Sequence, residues 1–187
     1  MRIIAGDFKG KKILQPKDKE TRPLKDLTKE SIFNIISHSN KFSVDFEESN
    51  ILDLFSGTGS FGLECLSRKA QHVTFVENYK KILPILKKNL LNLNLTNSYK
   101  IIEKDILKDL KITDLKQKFD IIFLDPPFKE NDLNKLLSSI INFKIIKDNG
   151  IIIIHRHKKH KDKLPKSFKI IEEKIYGISK IIFGTYS

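Results

Sequence analysis

Tryptophan is absent from this chain, and cysteine nearly so: Cys65 is the one thiol in 187 residues. No intrachain disulfide can form. That excludes the disulfide-stapled secreted scaffolds and points to a reducing compartment. Arginine is scarce, confined to Arg2, Arg22, Arg68 and Arg156, so nearly all the positive charge is lysine. Long apolar runs are missing too. The start, Met1 to Asp7, lacks the apolar stretch of a signal peptide, and Ile151 to Ile154 is far too short to cross a bilayer. A soluble, cytoplasmic chain without a membrane partner is expected. There is no internal repeat and no low-complexity linker.

What is present is a core and a charge. Apolar residues make up 40% of the chain, enough for one domain with a small appendage. The net charge of +12 favours a polyanionic partner, nucleic acid ahead of an anionic membrane surface. Residues 1–20 read as a basic β-hairpin extension, with short strand-like runs on either side of Gly6 to Gly10, and residues 21–187 as the main domain. A helix follows over Lys25 to His38, with Thr28 as its expected N-cap. From Asn50 the chain alternates strand and helix. Strands are expected at 51–55, 72–76, 99–103, 119–124 and 151–154, and helices at 61–68, 79–93 and 133–143. A C-terminal hairpin, 168–175 with 178–186, turns at Tyr176-Gly177. Continuously apolar, β-branched strands between helices predict a mostly parallel α/β sheet covered on both faces.

Two motifs carry chemistry. The first is Asp53-Leu54-Phe55-Ser56-Gly57-Thr58-Gly59, between a strand and a helix. Its glycines allow a tight turn and close approach to a ligand. The next strand ends at Glu77, where a carboxylate can accept ribose hydroxyls, and the third near Asp105 and Ile106, beside an expected adenine. A dinucleotide would bring a pyrophosphate to the helix N-terminus, which Asp53 repels. S-adenosylmethionine has no phosphate and carries a cationic amino-acid end, which Asp53 suits. Phe55, Ser56, Gly57, Thr58 and Gly59 complete the candidate cofactor site.

The second motif, Asp125-Pro126-Pro127-Phe128, closes the strand 119–124. Two prolines make a rigid corner without N–H groups, so their carbonyls are open to other donors. With a carboxylate and a ring beside them, the corner suits an exocyclic amine on a stacked base. His155, His157 and His160 have no evident carboxylate or thiolate partner in their lysine-rich run, so a basic loop is favoured and no metal is expected. Cys65 reads as core.

Further motifs occur in order: Arg2-Ile3-Ile4-Ala5-Gly6, Thr21-Arg22-Pro23, Lys29 to Asn34, Gly62-Leu63-Glu64 and Tyr176-Gly177. With the two above, the chain resembles, nearly end to end, the bacterial 16S rRNA guanine-N2 methyltransferases that modify a guanine in the helix 31 loop. The resemblance implies a Rossmann-like class I methyltransferase with a seven-stranded sheet, S-adenosylmethionine as cofactor, and 16S rRNA in an assembled or assembling small subunit as partner. Nothing in the sequence demands more than a monomer, which is the expected state. Asp125 and the Pro126 carbonyl would accept the amine hydrogens, with Pro127 and Phe128 completing the catalytic corner. Arg2, Lys9, Lys11, Lys12, Arg22, Lys25 and Lys29 are the candidate RNA contacts. Two positions depart from the family pattern: His155 stands where a strand usually ends in an acid, and Lys29 where arginine is usual. Competing readings are an adenine-N6 or cytosine-N4 methyltransferase acting on DNA, a dinucleotide oxidoreductase, and a non-catalytic RNA-binding Rossmann domain. The first needs a recognition domain for which the chain has no room. Asp53 and the Pro-Pro corner weigh against the second, and the intact motifs against the third.

Overall fold

The structure is a computed structural model, and it describes residues 1–16, 24–95, 97–108, 111–115, 117–127 and 132–186. Its centre is a seven-stranded sheet in the order β3-β2-β1-β4-β5-β7-β6. The strands are β1 (Asn50–Leu54), β2 (His72–Val76), β3 (Tyr99–Ile102), β4 (Phe119–Leu124), β5 (Ile146–His157), β6 (Phe168–Tyr176) and β7 (Ser179–Tyr186). β1 to β5 are parallel, and β7 runs antiparallel to both β5 and β6. The helices are α1 (Asp26–His38), α2 (Ser60–Ser67), α3 (Leu83–Leu91) and α4 (Leu133–Asn142).

Period-two alternation sends each strand's side chains into two cores. Ile51, Phe75, Ile121, Phe123, Ile151 and Ile153 face α1, α2 and α3, joined by Ile3 and Ile13 from the N-terminus. Leu52, Leu54, Ile122, Leu124, Ile152 and Ile154 face α4 and the segment around Ile112. Successive strands spread outward from β1 in one direction and from β4 in the other. The β1/β4 junction is thus the topological switch point, where a crevice opens at the carboxyl ends.

Several boundaries differ from expectation for local reasons. Helix α1 starts one residue after Lys25, and Thr28 is not its N-cap; it lies buried in the first turn, where Asp26 suits the positive helix end. Helix α3 starts only at Leu83, with Pro84 in the first turn, where its missing N–H costs nothing. Strand β5 starts at Ile146, and an irregular register against β4 accommodates the exposed Asp148 and Asn149 before the apolar run begins.

The N-terminal hairpin is held by one antiparallel bridge, Arg2 to Lys12, flanked by backbone bonds between Ile3 and Lys11 and between Gly10 and Ile3. It lies against α2 and α3. Ile3 and Ile13 are 1% and 2% exposed, each worth about 1.5–3 kcal/mol of burial. Glu64 of α2 accepts the N–H groups of Ile4 and Ala5 at 2.8 and 2.9 Å. Ser67 Oγ accepts from Phe8 at 2.9 Å and donates to the Ala5 carbonyl at 2.5 Å. Asn89 of α3 pairs with Leu14 through both ends of its amide. Gly6 adopts φ of +78°, and a Cβ there would sit 1.8 Å from the Ser67 carbonyl oxygen. The Arg2–Gly6 and Gly62–Glu64 motifs, far apart in sequence, are two sides of one joint.

Candidate active site

Register places the chemistry. Leu54 lies opposite both Val76 and Leu124, Val76 opposite Ile102, and Leu124 opposite Ile154. The residues that follow, Phe55, Glu77, Asp125 and His155, therefore emerge together along one edge, on either side of the switch point.

The loop after β1 is held by its neighbours. Phe55 (φ 59°), Gly57 (φ 56°) and Gly59 (φ 82°) are all left-handed, so the chain doubles back into α2. For Phe55 this conformation costs about 1–2 kcal/mol, a strain typical of ligand-facing turns. Ser56 Oγ donates to the Asp53 carbonyl at 2.6 Å and accepts from Val76 N–H at 3.0 Å, tying the loop to β2. The Asn89 amide donates to the Thr58 carbonyl at 3.0 Å. Glu77 closes the loop from the other side. Its Oε2 accepts Gly57 N–H at 2.7 Å, and its Oε1 accepts from Asn78 and Tyr79 at 2.9 and 2.8 Å. A carboxylate offers about four acceptor positions, so three are used for folding and capacity remains for a hydroxyl.

Asp53 is 1% exposed, and its Oδ2 accepts Gly62 N–H in the first turn of α2 at 3.0 Å. Burial pushes its carboxyl well above the usual carboxylate range. The Gly62 hydrogen bond pulls it down, and the nearby Asp125 and Glu77 push it up again. An acid buried beside two others is a site that gains from a cation. Asp105 Oδ1 accepts Leu107 N–H at 2.8 Å, capping the turn after β3, and Ile106 packs into the α4 core.

At the corner after β4, Asp125 keeps its side chain 20% exposed while Pro126 is buried. His155 Nδ1 lies 2.8 Å from Asp125 Oδ1, and His155 Nε2 lies 2.9 Å from Ser179 Oγ. The Pro127 carbonyl accepts from Arg156 Nη1 at 3.2 Å, which uses one of its two lone pairs. Arg156 is fully buried and forked onto Asp162, with Nε to Oδ2 at 3.0 Å and Nη2 to Oδ1 at 2.8 Å. A corner of two prolines has no N–H of its own to fix it, and the guanidinium supplies the missing bond. Phe128 lies outside the described residues, as does Arg22.

Of the candidate RNA contacts, Arg2, Lys9, Lys11, Lys12 and Lys25 are exposed. Lys11 reaches the Asn92 carbonyl at 3.1 Å and lies over the Phe8 ring. Lys29 corrects the sequence reading: it is fully buried, donates to the Arg2 carbonyl at 2.8 Å and sits 3.4 Å from Glu64. Burial lowers its ammonium pKa, against the pull of Glu64. Its spacing with Ile32, Phe33 and Ile36 puts it on the apolar stripe of α1, a signal the sequence did contain. Arg156 also had a signal, an arginine set into an apolar strand with an acid six residues on. The histidines diverge: His155 turns to Asp125, while His160 sits with Arg156 and Asp162.

The family model described as Conserved hypothetical protein 95 matches residues 1–185. The ribosomal RNA small subunit methyltransferase D of Haemophilus influenzae is 34% identical over 179 residues, 95% of this chain and 90% of that one. The protein of the same name from Buchnera aphidicola is 36% identical over 173 residues, 92% and 86% of the two chains. A crystal structure from Haemophilus influenzae aligns at a TM-score of 0.74 and 31% identity, covering 100% of this chain and 98% of that one. The fold is thus the Rossmann-like class I methyltransferase fold that the alternating strands and helices led us to expect. Carried by the same sheet, the same length and a shared sequence, the chain belongs to the Conserved hypothetical protein 95 family, that of the ribosomal RNA small subunit methyltransferases D.

Proposed function

We propose that this rRNA methyltransferase modifies the exocyclic N2 amine of one guanine in 16S rRNA, acting as a cytoplasmic monomer on the small subunit or its assembly intermediate. The observation that carries this reading is the convergence of the Asp125-Pro126 corner and the Glu77-braced loop at the β1/β4 crevice. S-adenosylmethionine, when bound, supplies a methyl group on a sulfonium. The donors and acceptors present fit it. Glu77 has acceptor capacity left for ribose hydroxyls, and Asp105 lies at the end of the next strand for the adenine. The buried Asp53 gains its charge most readily beside a cationic amino-acid end.

The chain's own part in the chemistry lies at the corner. A guanine amine is a weak nucleophile because its lone pair is delocalised into the ring. Asp125 and the Pro126 carbonyl accept its two N–H groups and so draw the lone pair back onto nitrogen. Phe128 stacks on the base, a contact worth about 1–3 kcal/mol. Positioning and charge stabilisation supply the rest. Arg2, Lys9, Lys11, Lys12 and Lys25 hold phosphates, which fixes the register of the RNA and makes binding salt-dependent. Lys29 takes no part in that surface.

The test supplies labelled S-adenosylmethionine with free 16S rRNA, small subunits and DNA, then maps the modified nucleotide. Label at a guanine N2 in 16S rRNA is expected. Label in DNA alone, or at an adenine or cytosine amine, sinks the proposal. Asp125→Ala is expected to abolish transfer while cofactor affinity holds.

A further inference from the structure

Asp125 is not alone at the corner. Its Oδ1 is taken by His155 Nδ1 at 2.8 Å, and the far nitrogen of that ring is taken by Ser179 Oγ at 2.9 Å. The imidazole is 4% exposed and the serine equally so. Oδ2 has no hydrogen-bond partner among the described residues, and the side chain keeps 20% of its surface open.

An ionised carboxylate only accepts, so the ring presents its Nδ1–H to Asp125. The Ser179 hydroxyl can donate or accept, so it partners Nε2 whichever way that nitrogen is set. The three positions come from separate elements: the end of β4, the end of β5 and the start of β7, where the hairpin turn returns the chain.

We propose that His155 is a positioning residue for the transfer: it occupies one oxygen of Asp125 and thereby presents the other to the substrate amine, with Ser179 holding the ring. This rests on the reading of Asp125 given above and adds two things to it. Only one carboxylate oxygen serves the amine, and the rotamer of Asp125 is set by β5 and β7, far from the glycine loop.

The experiment compares single-turnover rates, KM for rRNA and KM for S-adenosylmethionine. The proteins are the wild type, His155→Leu, His155→Asn and Asp125→Ala, with thermal melts of each. Loss of the ring in His155→Leu is expected to lower the rate about ten- to hundredfold with both KM values nearly unchanged, the signature of a misplaced reacting group. His155→Asn keeps a donor near the Nδ1 position but cannot ionise. Its rate is expected between those of His155→Leu and the wild type, again with both KM values nearly unchanged. Should His155→Leu fail to fold, the rate of His155→Asn decides. A folded His155→Leu at wild-type rate overturns the proposal, as does a His155→Asn no faster than a folded His155→Leu or, where His155→Leu does not fold, a His155→Asn at wild-type rate. If Asp125→Ala is dead while both His155 variants behave as wild type, this inference alone falls. If Asp125→Ala turns over normally, the reading of the corner falls with it.

Discussion

Lys29 and Glu64 meet with Nζ 3.4 Å from Oε2, and neither side chain has any exposed surface. Around them Glu64 also accepts from Ile4, Ala5 and Arg68, and Lys29 donates to the Arg2 carbonyl. The pair is the joint through which α1, α2 and the N-terminal hairpin share one core.

Removing one partner of a buried pair strands the other charge, so Lys29→Ala is expected to destabilise the fold by about 3–5 kcal/mol. Glu64→Ala should cost more, because it also orphans two backbone N–H groups. Denaturant unfolding measures both, with the slope unchanged. A mutant of Lys29 that unfolds with the wild type would remove the joint. The salt dependence of RNA binding gives the complementary reading: Lys29→Ala should leave its slope unchanged, whereas Lys9→Ala should lower it by about one unit.

Glu77 holds the loop and the turn after β2 with three of its acceptor positions, and the proposed function gives the same carboxylate a second job at the ribose. Glu77→Ala is expected to weaken S-adenosylmethionine binding by about 1–3 kcal/mol through a lost charged hydrogen bond. The same change frees the Gly57, Asn78 and Tyr79 amides, so their hydrogen exchange should quicken in the cofactor-free protein. Calorimetry and exchange read the two jobs separately. Faster exchange with unaltered affinity would leave Glu77 as a brace only.

Asp53, proposed to face the cationic end of the cofactor, also ties stability to pH. Its carboxyl is raised in the fold, first by burial. Between the unfolded value and the raised folded one, the native state holds more protons than the unfolded state, so the cofactor-free protein loses stability as pH climbs through that window. Asp53→Asn keeps an acceptor for Gly62 but cannot ionise. It should flatten that slope, raise or hold the melting temperature at neutral pH, and weaken S-adenosylmethionine binding. A steeper slope in the variant would contradict the sign.

The sheet was legible because its strands are mostly apolar runs, and the gathering of Glu77 and Asp125 at one edge because they follow directly where such runs stop. What the sequence hid lies in contacts between distant elements. Glu64 stands in a recognisable motif, yet its partners Ile4 and Ala5 are about 60 residues away. Arg156 reaches the Pro127 carbonyl from the neighbouring strand, 29 residues away in sequence. Lys29 was misread for another reason. Its charge was weighed above its place on the stripe with Ile32, Phe33 and Ile36, and the Arg2 carbonyl and Glu64 carboxylate make its burial tolerable.

Gly62 is the third glycine of the loop, and its constraint is steric. A Cβ there would lie 2.3 Å from the Phe75 ring and 2.8 Å from Val73 Cγ1, both on the strand beneath α2. Inside a helix, alanine ordinarily gains about 1 kcal/mol over glycine. Here the added methyl must push apart two packed elements, a strain of about 1–3 kcal/mol. Phe75 is fully buried, so it has little room to yield. Gly62→Ala is therefore expected to destabilise the protein despite its better propensity. It should weaken S-adenosylmethionine binding as well, because the Gly62 N–H that holds Asp53 at 3.0 Å moves with the helix. Phe75→Leu opens space beneath the same point, so the double variant should recover part of the loss, seen as a favourable coupling in a double-mutant cycle. A melting temperature that rises in Gly62→Ala would show that α2 and β2 are not in close contact at this residue.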